Sequence, residues 1–167
     1  MNQKVKADHA AGKPWRYTNS KKRYTKFHDA RDHNRYTNCV SGVQMGLLMI
    51  GLPDAVTHWY GSAGKIAYTT DAGRKAVKKY FDIIKVNDTV INLYTKGKLC
   101  DGDILIYANM NHTNVYYGNR KSFDSGHAYC SSSGELAQFT KWIGALSHQK
   151  QKVAVILRFK DRAHYRV

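Results

Sequence analysis

Three side chains in this sequence combine residue types that together perform nucleophilic catalysis, namely Cys39, His112 and Asp124. Thr37 or Asn38 is a good N-cap, and Cys39 then begins an apolar pattern at helical spacing. At a helix N-terminus the dipole and the free backbone N–H groups favour a thiolate and can hold an oxyanion. Most unpaired cysteines are nevertheless small buried apolar side chains, so Cys39 alone does not establish catalysis.

His112 begins a predicted strand directly after a turn, where its imidazole can face a helix end that packs on the sheet. A cysteine and a histidine placed in this way form an activated nucleophile and its base. Asp124 lies on the next strand of the predicted hairpin, where its carboxylate would orient the imidazole. Since the chain has eight histidines, the prediction depends on the joint arrangement rather than on His112 alone.

The elements that must position these residues form an α+β chain. Helical spacing of apolar residues alternates with polar turns in the first half, and short polar turns separate β-rich runs in the second. Helices followed by antiparallel strands predict an α+β fold. The predicted elements are helices over about 39–50, 71–84 and 135–143, and strands over about 104–108, 112–118, 122–124 and 153–159.

Composition predicts one basic globular domain with a separate N-terminal arm. The chain has 167 residues, with 27 Lys and Arg against 12 Asp and Glu, a formal charge of +15. We expect residues 1–35 to form a basic, aromatic-rich arm packed on a domain at 36–167. Such a charge attracts polyanions, and nucleic acid, anionic wall polymers and acidic membranes are all candidates. No apolar run is long enough to span a bilayer, and because Met1–Lys4 lacks an apolar region we expect no ordinary secretory signal.

The three cysteines do not predict a metal site or a disulfide scaffold. No CxxC pair is present, so we expect no structural zinc and no cofactor. Cys100 and Cys130 could pair in an oxidising compartment, although two thiols are the expectation. Asp101 and Asp103 are expected to brace a turn rather than bind metal. A further set of possible ligands in the basic arm is weak evidence for a metal: His28, Asp29, Asp32 and His33.

Two segments of the chain resemble the NlpC/P60 family of papain-like cysteine peptidases. The run Asn38-Cys39-Val40-Ser41-Gly42-Val43 is similar to the family's nucleophile helix. The run from Gly102 to Tyr107, followed by His112-Thr113-Asn114-Val115-Tyr116-Tyr117-Gly118-Asn119, is similar to its strand and histidine segment. The resemblance covers about residues 36–160, and the family's register places its third catalytic residue on Asp124.

The resemblance implies a papain-like fold whose nucleophile helix packs on a central antiparallel sheet. It implies a peptidoglycan hydrolase, either an endopeptidase or an amidase, in which Cys39 attacks, His112 acts as base and then acid, and Asp124 orients His112. Asn38 stands where the family commonly has Asp, and Val40 where it has Ser, which favours an endolysin-like enzyme over one that needs a free amino terminus. The related CHAP domains vary more around the cysteine and stay an alternative.

Other aromatic residues are candidates for contact with substrate. Trp59 and Tyr60 follow a proline turn and could line a subsite, or be half-buried loop residues. Tyr36 is one of two candidates for the upstream tyrosine that the family carries, the other being Tyr24. With Asn38, these residues complete the predicted substrate-binding set.

Two other functions are compatible with the sequence. A basic nucleic-acid-binding domain explains the charge and the twelve tyrosines, but not the spacing of the three candidate catalytic residues. A papain-like acyltransferase would use the same residues with an amine in place of water. For the hydrolase we expect a monomer that acts at the bacterial cell wall and is released by lysis, as a phage lysin would be, or delivered as an antibacterial effector.

Overall fold

The chain folds around one antiparallel β-sheet with helices packed on it. The structure is a computed structural model, and it describes residues 7, 10–13, 16–17, 36–37, 39–52, 71–108, 112–123 and 149–161. The strands are β1 (Arg16–Tyr17), β2 (Tyr36–Thr37), β3 (Phe81–Thr89), β4 (Ile104–Tyr107), β5 (Thr113–Gly118), β6 (Lys121–Phe123) and β7 (Lys152–Phe159). The helices are α1 (Cys39–Met49), α2 (Asp71–Tyr80) and α3 (Val90–Thr95). The predicted α+β class is therefore confirmed.

The main sheet has five strands in the order β3-β7-β4-β5-β6, and each neighbouring pair is antiparallel. Strand β7 lies between β3 and β4, as its apolar sequence predicts for a central strand. A separate parallel pair joins Arg16 to Tyr36 and Tyr17 to Thr37. Backbone pairing therefore connects the N-terminal arm to the segment that leads into α1.

Alternation along the strands divides the core into two clusters, one on each face of the sheet. On the first face, Ile104 and Ile106 of β4 pack with apolar residues of α1 and α2. On the second face, Leu105 and Tyr107 of the same strand pack with Val90 and other residues around α3. We call these the α1 face and the α3 face.

The second helix is shorter than the spacing predicts. It ends at Tyr80, and the predicted helical residues 81–84 begin strand β3 instead. The prediction was wrong there because Phe81 and Ile83 fit a helical stripe as well as the α1 face of a strand. Ile84 lies on the α3 face, beside Val86. The β-branched residues of this segment favour a strand.

The remaining predicted elements mostly have the expected positions. Helix α1 and strands β4, β5, β6 and β7 match the predictions to within two residues at each end. The predicted helix over 135–143 lies outside the described residues. None of the described helices is long and apolar enough to cross a membrane.

Candidate active site

Cys39 is the first residue of α1 and belongs to the core. Its side chain is 8% exposed and lies in the cluster that includes Val43 and Leu47 of the same helix and Ile104 of β4. The helix forms here because Val40, Val43 and Leu47 recur at helical spacing and bury the side that meets the sheet. Cys39 therefore has the expected place at a helix N-terminus, and also the burial of a core residue.

His112 directly precedes β5, the strand on which α1 packs. Its backbone carbonyl accepts a hydrogen bond from the Tyr107 N–H at 3.3 Å, which continues the pairing of β4 with β5. The imidazole lies beside the Tyr107 ring, with 5.6 Å between the ring centroids. Because Tyr107 belongs to the cluster on the α3 face, the imidazole packs against the side of the sheet opposite to α1.

The register of β4 with β5 accounts for this placement. Thr113 pairs with Ile106, whose side chain lies on the α1 face, and Asn114 pairs with Leu105, whose side chain lies on the α3 face. Successive residues of a strand point to opposite faces, so Thr113 rather than its neighbour His112 is on the side of Cys39. The structure therefore places the candidate nucleophile and the candidate base on neighbouring elements, but against different faces.

Buried polar groups surround the start of β5. The Asn114 side-chain amide donates a hydrogen bond to the Tyr107 hydroxyl at 3.0 Å, and both residues are fully buried. The Thr113 hydroxyl donates to the backbone carbonyl of Leu105 at 2.8 Å. These contacts fix the strand position from which the half-buried His112 projects, because buried polar groups are costly unless they are hydrogen-bonded.

The turn before β4 is held by a buried ion pair. Asp103 is 1% exposed, and its carboxylate accepts hydrogen bonds from Nε of Arg158 at 2.9 Å and from Nη2 at 2.7 Å. It also accepts one from the Cys100 backbone N–H at 2.8 Å. The hydrogen bond to Asp103 raises the pKa of the Arg158 guanidinium above its usual value. Asp103 thus braces the turn, as the sequence predicts.

Asn119 and Arg120 form the turn of the β5–β6 hairpin, directly after Gly118. Asn119 and Arg120 have φ values of 46° and 61°, the left-handed conformation that two-residue hairpin loops require. Gly118 has a φ of 85°, and a Cβ atom there would lie 2.8 Å from a carboxylate oxygen of Asp101. The left-handed φ is what favours glycine at this position, since the exposed end of the Asp101 side chain can shift away from a Cβ atom. Sequence reasoning identified neither this contact nor the role of Arg158.

Several predicted site residues lie outside the described residues, so the geometry of the site is described without them. They are Asn38, Trp59, Tyr60, Asp124, Cys130 and the possible metal ligands His28, Asp29, Asp32 and His33. The backbone of Tyr36 forms part of β2. Cys39 and Cys100 are both thiols rather than half-cystines. Among the residues that the structure describes, no group of three metal-ligating side chains comes together.

No protein-family model, curated protein or solved structure matches this chain. The resemblance to NlpC/P60 peptidases therefore depends on the short motifs and on the order of the elements, and the chemistry of the site is argued from this chain's own residues.

Proposed function

We propose that the protein is a peptidoglycan hydrolase that cleaves an amide bond of the wall stem peptide or cross-bridge. Cys39 is the nucleophile, His112 the general base and then acid, and Asp124 the residue that orients His112. One observation carries the proposal: Cys39 is the first residue of α1, and α1 packs on the strand that His112 directly precedes. A papain-like arrangement is compatible with this order of helix and antiparallel sheet.

The reaction proceeds by acyl transfer to the thiol and then to water. The imidazole accepts the thiol proton, and the sulfur attacks the carbonyl carbon of the scissile amide. Backbone N–H groups of the first turn of α1 stabilise the oxyanion. The imidazolium then gives its proton to the leaving amine, which departs as the thioester forms. Water, activated by the imidazole, hydrolyses the thioester and releases a carboxylate and the thiol.

This mechanism makes a specific demand on the geometry. The thiol lies on the α1 face, whereas the imidazole lies against Tyr107 on the α3 face. His112 stands before the first residue of β5, so the imidazole can serve Cys39 only by reaching past the end of the strand. A catalytic role for Cys39 and a catalytic role for His112 are therefore separate propositions, and each needs its own variant.

The test is digestion of isolated peptidoglycan with analysis of the products by mass spectrometry. Walls from Gram-positive and Gram-negative bacteria are incubated with the protein and with Cys39→Ala, His112→Ala and Cys100→Ala variants. We expect wild type and Cys100→Ala to release the same fragments, and the other two variants to release none. Cys100→Ala is the matched control because it removes a thiol outside the proposed site.

The pattern of loss separates the alternatives. Release that needs Cys39 but not His112 would keep the thiol enzyme and assign another base. Transfer of the acyl group to an added amine, detected as a mass adduct, would indicate an acyltransferase. Absence of fragments from every wall, with a Cys39 thiol that does not react with alkylating reagents near neutral pH, would overturn the proposal.

A further inference from the structure

Helix α2 carries a cationic side that the proposed reaction does not use. Successive residues of an α-helix are about 100° apart, so Arg74, Lys75, Lys78 and Lys79 lie along one side of α2. The three lysines are exposed. Val77, between them in sequence, is fully buried in the core cluster of the α1 face. The helix thus packs on the core through one side and presents a row of ammonium groups on the other.

The three α2 lysines form no ion pair with any carboxylate of the described residues. By contrast, Lys96 contacts Asp88 at 2.7 Å. The N–H of Lys160 donates to the carbonyl of Tyr80 at 3.0 Å, which brings a further exposed lysine to the end of α2. Cations in the last turn also complement the helix dipole, but Lys75 lies outside that turn.

The side chains on this surface suit phosphate charge rather than nucleobases. Lysine is a compact point charge on a flexible stem, whereas the planar guanidinium of arginine is better suited to bidentate contacts with base edges. Tyr80, the aromatic ring at the end of the helix, is half-buried, and the Lys79 ammonium lies 5.4 Å from its centroid. That ring is therefore occupied by a cation instead of being open to stack a base.

We propose that Lys75, Lys78 and Lys79 of α2, together with Lys160, bind a linear phosphodiester polymer of the bacterial wall, of the teichoic acid class. The choice of a wall polymer over other polyanions rests on the proposed function. Binding would hold the enzyme on the wall that it digests.

The test compares two triple variants in a Cys39→Ala background, which prevents digestion of the wall during the measurement. K75Q/K78Q/K79Q removes the proposed contacts, and K121Q/K150Q/K152Q removes three exposed lysines elsewhere as the matched control. Co-sedimentation with teichoic-acid-bearing walls is measured over a range of salt, with the same walls stripped of phosphodiester polymer and with soluble poly(glycerol phosphate) as competitor. Circular dichroism checks that each variant is folded.

We expect the α2 variant to lose binding and the control to keep it. Each phosphate contact on a flexible polyanion contributes roughly 0.7 to the slope of log binding constant against log salt, so loss of three contacts lowers that slope by about two. Stripped walls should bind wild type and the α2 variant equally weakly. Equal loss in both triple variants, undiminished binding to stripped walls, or stronger competition by DNA than by poly(glycerol phosphate) would overturn the inference.

Failure of this inference is distinguishable from failure of the hydrolase. If the surface is wrong but the enzyme is right, the α2 variant with Cys39 intact will digest walls as wild type does. If the enzyme is wrong but the surface is right, no fragments appear while sedimentation still depends on α2 and on the phosphodiester polymer.

Discussion

The two faces of the sheet are covered in different ways. On the α1 face, two helices bury apolar side chains against β4 and β7, and Cys39 lies within that cluster. On the α3 face, a helix of six residues buries only Val90 and Leu93. Polar contacts also hold this helix in place. The Thr89 hydroxyl accepts a hydrogen bond from the Asn92 N–H, and the Val90 N–H donates one to the backbone carbonyl of Gln151.

The difference shows where polar chemistry is tolerated in this fold. The α1 face is stabilised by apolar burial, at about 25 cal/mol for each Å² removed from water, and a polar group there displaces apolar contact. The α3 face already contains the hydrogen bond between Asn114 and Tyr107, with His112 beside it. The candidate thiol therefore lies in a cluster of buried apolar side chains, whereas the candidate imidazole lies beside a buried hydrogen-bonded pair.

The ion pair between Asp103, which directly precedes β4, and Arg158 of β7 should have the largest effect on the free energy of unfolding. Arg158→Met leaves the buried Asp103 carboxylate without its guanidinium, and we expect a loss of about 3 kcal/mol in the free energy of unfolding. Chemical denaturation measures it. Lys96→Met, at the exposed pair with Asp88, is the control and should change stability far less. Equal losses of stability in the two variants would mean that burial of Asp103 does not determine how much its ion pair contributes to the free energy of unfolding.

The polar contact on the α3 face should give the next largest effect. Tyr107→Phe keeps the ring beside His112 but removes the hydroxyl that accepts the Asn114 amide. Loss of a buried acceptor should lower the free energy of unfolding by about 1–2 kcal/mol. Denaturant titration gives the value. A variant as stable as wild type would show that this face does not depend on the hydrogen bond.

Two substitutions of Cys39 test the apolar character of the α1 face. Cys39→Ala should change stability by less than about 1 kcal/mol, whereas Cys39→Ser should cost about 1–2 kcal/mol because it buries a hydroxyl among apolar side chains. Thermal unfolding of the two variants provides the comparison. If serine is tolerated as well as alanine, the surroundings of the sulfur are polar and the contrast between the faces is lost.

Titration of Asp88, which directly precedes Thr89 at the start of α3, should have the smallest effect on stability. Hydrogen bonds from Lys96 and then Asn92 lower the pKa of Asp88 from 3.8 to about 2. A pKa that is lower in the folded state adds stability above pH 3.8, and this stability is lost as the pH falls toward 2. Carboxyl titration by NMR should show the pKa of Asp88 rising toward 3.8 in Lys96→Met. An unchanged pKa would mean that Lys96 does not hold the carboxylate.

Strong local patterns were enough to predict much of the fold. The apolar spacing after Cys39 predicted α1, and the apolar run before Phe159 predicted β7 at the centre of the sheet. The turn role of Asp103 was also predictable, since an aspartate between a turn and a strand commonly accepts backbone hydrogen bonds. In each case the information lies within a few residues of sequence.

The face on which His112 lies could not be predicted from the sequence. A shift of one residue in strand register moves every side chain to the other face, and the pairing of β4 with β5, such as Thr113 with Ile106, sets that register only in the folded structure. The partner of Asp103 also could not be predicted from the sequence. Arg158 is distant along the chain and contacts Asp103 only because β4 pairs with β7. Helix α3 was missed because six residues are too few for a clear period.

The order of strands in the sheet has a consequence for synthesis on the ribosome. Strands β3 and β4 both pair with β7, and not with each other. The nascent chain therefore carries two incomplete sheet edges until residues 152–159 emerge. The backbone N–H and C=O groups along both edges stay unpaired during this interval, which is the condition in which partly made chains aggregate and engage chaperones.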